Sequence, residues 1–382
     1  MRLVASLLFT FVALLGCSAD GPIWMPVSDK ASPLFRIVVN GRAGFIDPTG
    51  RVVVAPTLPV LGNWGQVFHD GLLSLKVVGA PFINSQGQKV LTSGFAQTSD
   101  FSEGLALART SDRSKWGFID LAGNFVIPPQ FPSYPDASIG HFSEGLAAIE
   151  ISGKAGYIDR TGTFVIPRQF AAALPFRDGV ARVVTDGGCA YFPYDHIDPC
   201  ASFIGVPRTG IERERNGGGG TFCKWQFIDK TGKVVINGSF EGAMDFYDGL
   251  AAVKVGKLWG FIDRRGTFVI RPAFREAHSF SDGLALVDGD NKVGFIDNTG
   301  ALKIRVAFAE PFSEGLAVVK SQRGYSYINT EGKRVIPESF ALASRFFHGL
   351  AHVRLIDGTA SRGEGNFAYI DKTGKHVFNY RR

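Results

Sequence analysis

Two short phrases alternate along this chain. A sequence that repeats one small unit must stack its copies, because a unit of a few strands cannot bury its own apolar face. The first phrase is Phe-x-(Asp/Glu)-Gly-(Leu/Val). It starts at Phe68, Phe101, Phe142, Phe176, Phe246, Phe280 and Phe312, and at Phe346 with His348 in place of the acid. The second is Gly-aromatic-Ile-Asp-x-x-Gly, starting at Gly44, Gly117, Gly156, Gly260 and Gly294, with looser copies from Pro81, Gln226, Ser326 and Ala368. Its central isoleucine falls at 46, 83, 119, 158, 228, 262, 296, 328 and 370, in steps of 37, 36, 39, 70, 34, 34, 32 and 42. The step of 70 holds a single first phrase, at Phe176, so it is one repeat with an insertion from Asp186 to Phe222. Units 1 to 9 are numbered by these isoleucines, and the insertion lies in unit 5.

Within a unit the pattern is that of short antiparallel strands. "GLALART" and "KWGFID" alternate, and "NFVIP" is a β-branched run stopped by Pro128. The Asp-x-x-Gly step predicts a turn: the carboxylate accepts from the turn backbone and the glycine takes a positive φ. Asn84 and Asn329 keep the acceptor without the charge, which favours a turn over a metal site. In the first phrase the Phe is expected in the core, the acid exposed or capping, and the glycine at a tight bend. The 33 Phe residues are then packing residues. The fold predicted is all-β: tandem three-stranded antiparallel repeats stacked as an open superhelical array, with a propeller-like closed ring as the alternative. Short steps of 32 to 34 suit three strands, and the chain is made of whole units with no half-unit to share across a closure.

The Trp-Gly pairs Trp116-Gly117 and Trp259-Gly260, with the Gly-aromatic-Ile-Asp remainder in other copies, resemble the WG repeat. The resemblance runs over residues 31–382. It implies a repeat architecture, often exported and found largely in bacteria, and carries no general activity.

The N-terminus reads as an address. Arg2 precedes an apolar run from Leu3 to Leu15, broken only by Ser6 and Thr10. That run is too short to span a bilayer and fits the apolar core of a secretory signal. "LLGC" resembles the lipobox of bacterial lipoproteins, which implies a signal peptide over 1–16, a lipid on Cys17 and a tether over 17–30. Ser18 resembles the outer-membrane version of the sorting rule. The alternative is an ordinary signal cleaved near "CSAD". The expected localisation is therefore exported and membrane-anchored, at the outer membrane or the periplasmic face. Net charge is +6, mild for this length, with Lys and Arg scattered among Asp and Glu. No basic block points to nucleic acid.

The insertion is where the chain leaves its own pattern, and long loops in compact repeats are often functional. Cys189, Cys200 and Cys223 are disulfide candidates in an exported chain. Cys189 with Cys200 closes the shorter loop, and Cys189 with Cys223 clasps the hairpin neck; both stay open. Tyr191, Tyr194, Asp195, His196 and Asp198 form a candidate binding loop. His348 and His352 are four apart on a strand phrase, about 13 Å, too far for a shared zinc. No phosphate loop, dinucleotide fingerprint, GxSxG or HExxH occurs. No catalytic residue, metal or cofactor is assigned. The expected function is a non-catalytic binding scaffold at the cell envelope, contacting a protein or a cell-surface glycan. The alternatives are an envelope receptor that uses the insertion, or a structural spacer.

Overall fold

The computed structural model describes residues 33–60, 68–74, 82–91, 94–132, 140–185, 224–289, 292–357 and 365–382. Every regular element in them is a β-strand, and the strands form nine antiparallel sheets, each associated with one unit. Unit 4 shows the plan. Strands Leu146–Ile151 and Lys154–Ile158 form a hairpin, and Phe164–Phe170 pairs with the second of them. Val180–Val184 and Trp225–Asp229 are the corresponding hairpin strands of unit 5, so the insertion leaves and re-enters between them.

The expected three strands per sheet are exceeded in six sheets, which have four. In five of them the extra strand comes from the chain's passage between units, and in unit 4 it is Phe142–Ser143 of the first phrase, paired with Leu146 and Ala147. Phe164–Phe170 is separated by one residue from Ala172–Ala173, which pairs with Val183 and Val184 of unit 5. One run of backbone is therefore the edge of two successive sheets. The sequence conceals this strand because it is two residues long and has no alternation of its own.

Both phrases work as turns. In the first, the acid and the glycine both take positive φ, for example Glu144 at 53° and Gly145 at 84°. That pair is the two-residue turn whose twist matches a hairpin, and its neighbours Ser143 and Leu146 face each other. A non-glycine residue at positive φ is uncommon, so the acid's recurrence there needs another reason. The glycine that opens the second phrase has a different task. A Cβ on Gly156 would lie 2.6 Å from the Ile166 carbonyl oxygen. The third strand therefore passes hard against the second, and the register shifts at this place.

The core lies between units. Each of the nine clusters of buried apolar residues joins two units. The Phe of one first phrase packs on the aromatic residue of the preceding unit's second phrase. The ring centroids of Tyr157 and Phe176 are 4.8 Å apart, those of Phe227 and Phe246 5.2 Å, and those of Phe295 and Phe312 4.6 Å. Such pairs contribute about 0.5–1.5 kcal/mol beyond area burial. The closing glycine of each Asp-x-x-Gly turn sits on an apolar residue of the preceding unit's third strand. A Cβ on Gly266 would come within 2.9 Å of Ile236 Cγ2, and one on Gly232 as near Ile166 Cγ2.

A joint of the same kind connects the last unit to the first, with Phe35, in the register place of Ala147, taking the role of the first-phrase Phe. Phe35 of unit 1 packs on Tyr369 of unit 9 at 5.4 Å, and the Tyr369 hydroxyl donates to the Arg36 carbonyl at 2.6 Å. Tyr157 and Tyr327 donate in the same way to Leu174 and Ser344 of the following units. A Cβ on Gly50 would lie 2.5 Å from the Val377 carbonyl oxygen, so unit 1 also docks on unit 9 through its turn glycine, one place earlier in the third strand than at the other joints. Phe35, Ile37 and Ile46 share one buried cluster with Leu350 and Tyr369. The all-β stack of antiparallel repeats is as expected. Its ends meet, so the ring weighed as the alternative describes the arrangement rather than the open superhelix. Closure needs no unit shared between the chain ends, because the last and first units bury a common apolar cluster.

Candidate interaction surface

Among the described residues the phrase turns lie on one face of the ring, and the hairpin tips between first and second strands lie on the other. Both faces follow from the register. The first strand runs from the Phe-x-acid-Gly turn to the hairpin, and the second runs back to the Asp-x-x-Gly turn.

On the turn face the acid of the first phrase reaches across a joint. Asp70, Glu103, Glu144, Asp248, Asp282 and Glu314 each accept from the backbone N–H of the next unit's turn glycine, at 2.7–3.2 Å. A carboxylate accepting from a backbone N–H is among the stronger hydrogen bonds. This is the reason an acid occupies a strained position that any turn-former could fill. The residue after Asp in the second phrase adds a cation to the same acid. Lys230 Nζ lies 3.0 Å from Glu144, Lys372 Nζ 3.0 Å from Glu314, and Arg264 Nη2 3.1 Å from Asp178. Arg160 donates to the Glu103 carbonyl at 2.8 Å. The motif acids are thus occupied with architecture.

The Asp of the second phrase behaves as predicted. Asp229 Oδ1 accepts from the Thr231 hydroxyl at 2.6 Å and from the backbone of Thr231 and Lys233. Asn84 and Asn329 accept the same two backbone bonds. Hydrogen bonding, first from the Thr49 hydroxyl and then from Arg51, holds Asp47 down at about 2. The hydroxyls of Thr161, Thr231 and Thr299 likewise lower Asp159, Asp229 and Asp297.

One charged cluster escaped sequence reasoning. At the joint between units 5 and 6, Arg182 is buried and its Nε lies 2.7 Å from Asp245 Oδ1. Arg182 also donates to the Ala243 carbonyl and its guanidinium stands over the Trp225 ring at 5.7 Å. Arg177 pairs with the other oxygen of Asp245 at 3.3 Å and donates to the Tyr247 hydroxyl at 2.8 Å. Burial pushes Tyr247 up to about 12. The signal in the sequence was an arginine at a position filled by Ala148 in unit 4 and Ala252 in unit 6. Removing one partner of such a buried pair is strongly destabilising, because the other charge is left uncompensated.

His352 does not meet His348 around a metal. His352 Nε2 lies 2.7 Å from the Tyr380 hydroxyl, and its ring stacks on Phe367 and Tyr380. His348 occupies the turn position at φ 47°. Among the described residues no group of three or more His, Cys, Asp or Glu could hold a metal ion. Cys17, Cys189, Cys200, Cys223, Tyr191, Tyr194, Asp195, His196 and Asp198 lie outside the described residues, as do the signal, the tether and the insertion. The insertion's attachment points, Thr185 and Lys224, are on the hairpin face.

A crystal structure of a eukaryotic initiation factor superposes with a TM-score of 0.58 at 8% identity, covering 92% of this chain and 96% of that chain. Apo AztD from Citrobacter koseri aligns at 12% identity and TM-score 0.34, over 81% of this chain and 91% of that one. The C-terminal WD40 domain of Sif2 aligns at 9% identity and TM-score 0.33, over 78% and 77%. Comparison with curated protein sequences gives no match. The model of the WG containing repeat matches residues 82–112, 116–154, 156–189, 225–259 and 259–292. Each stretch carries the aromatic, the turn acid or the docking glycine that builds the joints above, and the chain belongs to the WG-repeat family.

Proposed function

We propose that this protein is a non-catalytic binding scaffold, exported and held at the cell envelope by a lipid on Cys17. The observation that carries the reading is the full occupation of the motif side chains. Phenylalanines, turn acids and glycines are all used in joints between units. What differs from unit to unit is what the ring displays, above all the insertion of unit 5. A repeat scaffold with one long departure from its pattern suits recognition at that departure. The candidate contact residues are Tyr191, Tyr194, Asp195, His196 and Asp198, stabilised by one disulfide among Cys189, Cys200 and Cys223. The partner is a protein or a cell-surface glycan.

Intact mass of the membrane-extracted protein, with pull-down before and after deleting 186–222, tests both parts. A diacyl or triacyl mass on Cys17 and a partner lost with the insertion are expected. An unmodified soluble product sinks the anchor, and a partner retained without the insertion returns binding to the ring.

A further inference from the structure

The two faces of the ring differ in charge. The turn face carries the seven acids of the first phrase and the seven Asp of the second. Its cations at the residue after Asp are drawn into those acids, as with Arg160, Lys230, Arg264 and Lys372.

On the hairpin face a cation recurs within one residue of the start of the second strand in seven units: Arg42, Lys115, Lys154, Lys224, Lys257, Lys292 and Arg323. All of these but Lys292, whose side chain is outside the described set, are exposed. Among the described residues none of the six forms an ion pair. Glu150 and Glu276 also lie toward this face in the register, and other acids there are engaged. Asp112 accepts from Thr110 and Ser114, Glu241 from the Gly256 N–H, and Asp288 pairs with Arg275. The cations recur at two adjacent positions of the repeat, the last residue of the hairpin turn (Lys257, Arg323) and the residue after it, so ring closure sets them in a circle. The sequence conceals this circle, because its members are about 30 or more residues apart along the chain and look scattered.

We infer that the hairpin face is a binding surface for an anionic polysaccharide, a glycan chain bearing carboxylate or phosphate groups. Spaced single cations suit a long flexible polyanion that touches several at once, with affinity built from many weak contacts. The inference rests on the scaffold reading above and names the chemistry of one partner.

The test measures binding of the full exported chain to polygalacturonate at low salt, beside uncharged dextran, phosphatidylglycerol vesicles and duplex DNA. The triple variant Lys154→Glu/Lys257→Glu/Arg323→Glu is expected to lose about tenfold or more in affinity, with the glutamine triple in between. The charge-matched control Lys89→Glu/Arg265→Glu/Lys375→Glu alters exposed cations of the turn face and is expected to stay within about twofold. Wild-type binding should weaken steeply with salt, as for any multi-cation contact with a polyanion. Equal losses in both triples reduce the effect to net charge and overturn the inference. Preference for vesicles or DNA, or no binding to polygalacturonate, does the same. In that last case a partner still lost on deleting 186–222 leaves the scaffold reading standing.

Discussion

Ordinary joints and the seam between units 9 and 1 both bury apolar residues, from different places in the repeat, and differ in their charges. At the joint of units 8 and 9, Tyr327 packs on Phe346, Gly374 docks on Ile336, and Glu314 binds both the Gly349 N–H and Lys372. At the seam, Tyr369 packs on Phe35 and Gly50 docks on Val377. There the acid position is His348, the cation position is Pro48, and unit 1 has no first phrase to receive a carboxylate. Shape and apolar burial are therefore what close the ring. The carboxylate links reinforce joints already made by chain connectivity.

The largest effect that separates these terms is loss of an aromatic plug. Phe246→Ala at an ordinary joint is expected to cost about 3–5 kcal/mol in denaturant unfolding. Phe35→Ala at the seam should cost a similar amount. If the ends did not meet, Phe35 would lie on an open flank and its loss would be much cheaper. Next come the docking glycines. Gly266→Val and Gly50→Val both combine overpacking with a positive φ, and each should lose about 2–4 kcal/mol. A much milder Gly50 variant would mean that Val377 is not its neighbour.

Smaller is the hydroxyl link. Tyr327→Phe and Tyr369→Phe should each cost about 1 kcal/mol, read as paired shifts of thermal midpoint. The charge links are smallest. Glu144→Gln is expected to lose under about 1 kcal/mol, because Lys230 and the acid are partly solvent-exposed. His348→Glu should change little, since no turn glycine waits for it in unit 1.

Acid provides a separate handle on the turn face. Asp47 is held at about 2 in the folded chain, below the unfolded value of ~3.9. Its contribution is present above about pH 4 and is lost as pH falls toward 2. Asp159, Asp229 and Asp297 shift in the same direction. Unfolding monitored against pH should steepen in that window, and Asp229→Asn should flatten it, since Asn329 makes the same turn without a charge. A pH profile unmoved by several such changes would show that these turns do not govern acid stability.

Much of the ring was legible before any coordinates. Repeat spacing, strand type and the turn role of Asp-x-x-Gly follow from periodicity and alternation. Closure was not legible, because an isolated joint looks the same in a line as in a circle. What decides is the small rotation between units, and no single residue encodes it. The acid of the first phrase was read as exposed or capping, and its actual partner lies one unit away, between 33 and 42 residues along the chain for the six links seen. The Arg182–Asp245 pair is 63 residues apart across the insertion and had no local signature.

Ring closure is the central claim, and a pair of distances tests it directly. Spin labels at Thr49 and Thr373 report the seam, and labels at Thr231 and Arg265 report an ordinary joint at the matching turn positions, all on exposed residues. Pulsed dipolar spectroscopy on the two doubly labelled chains should give nearly equal distances. A 49–373 distance far longer than the 231–265 distance would contradict the ring and return the repeats to an open array.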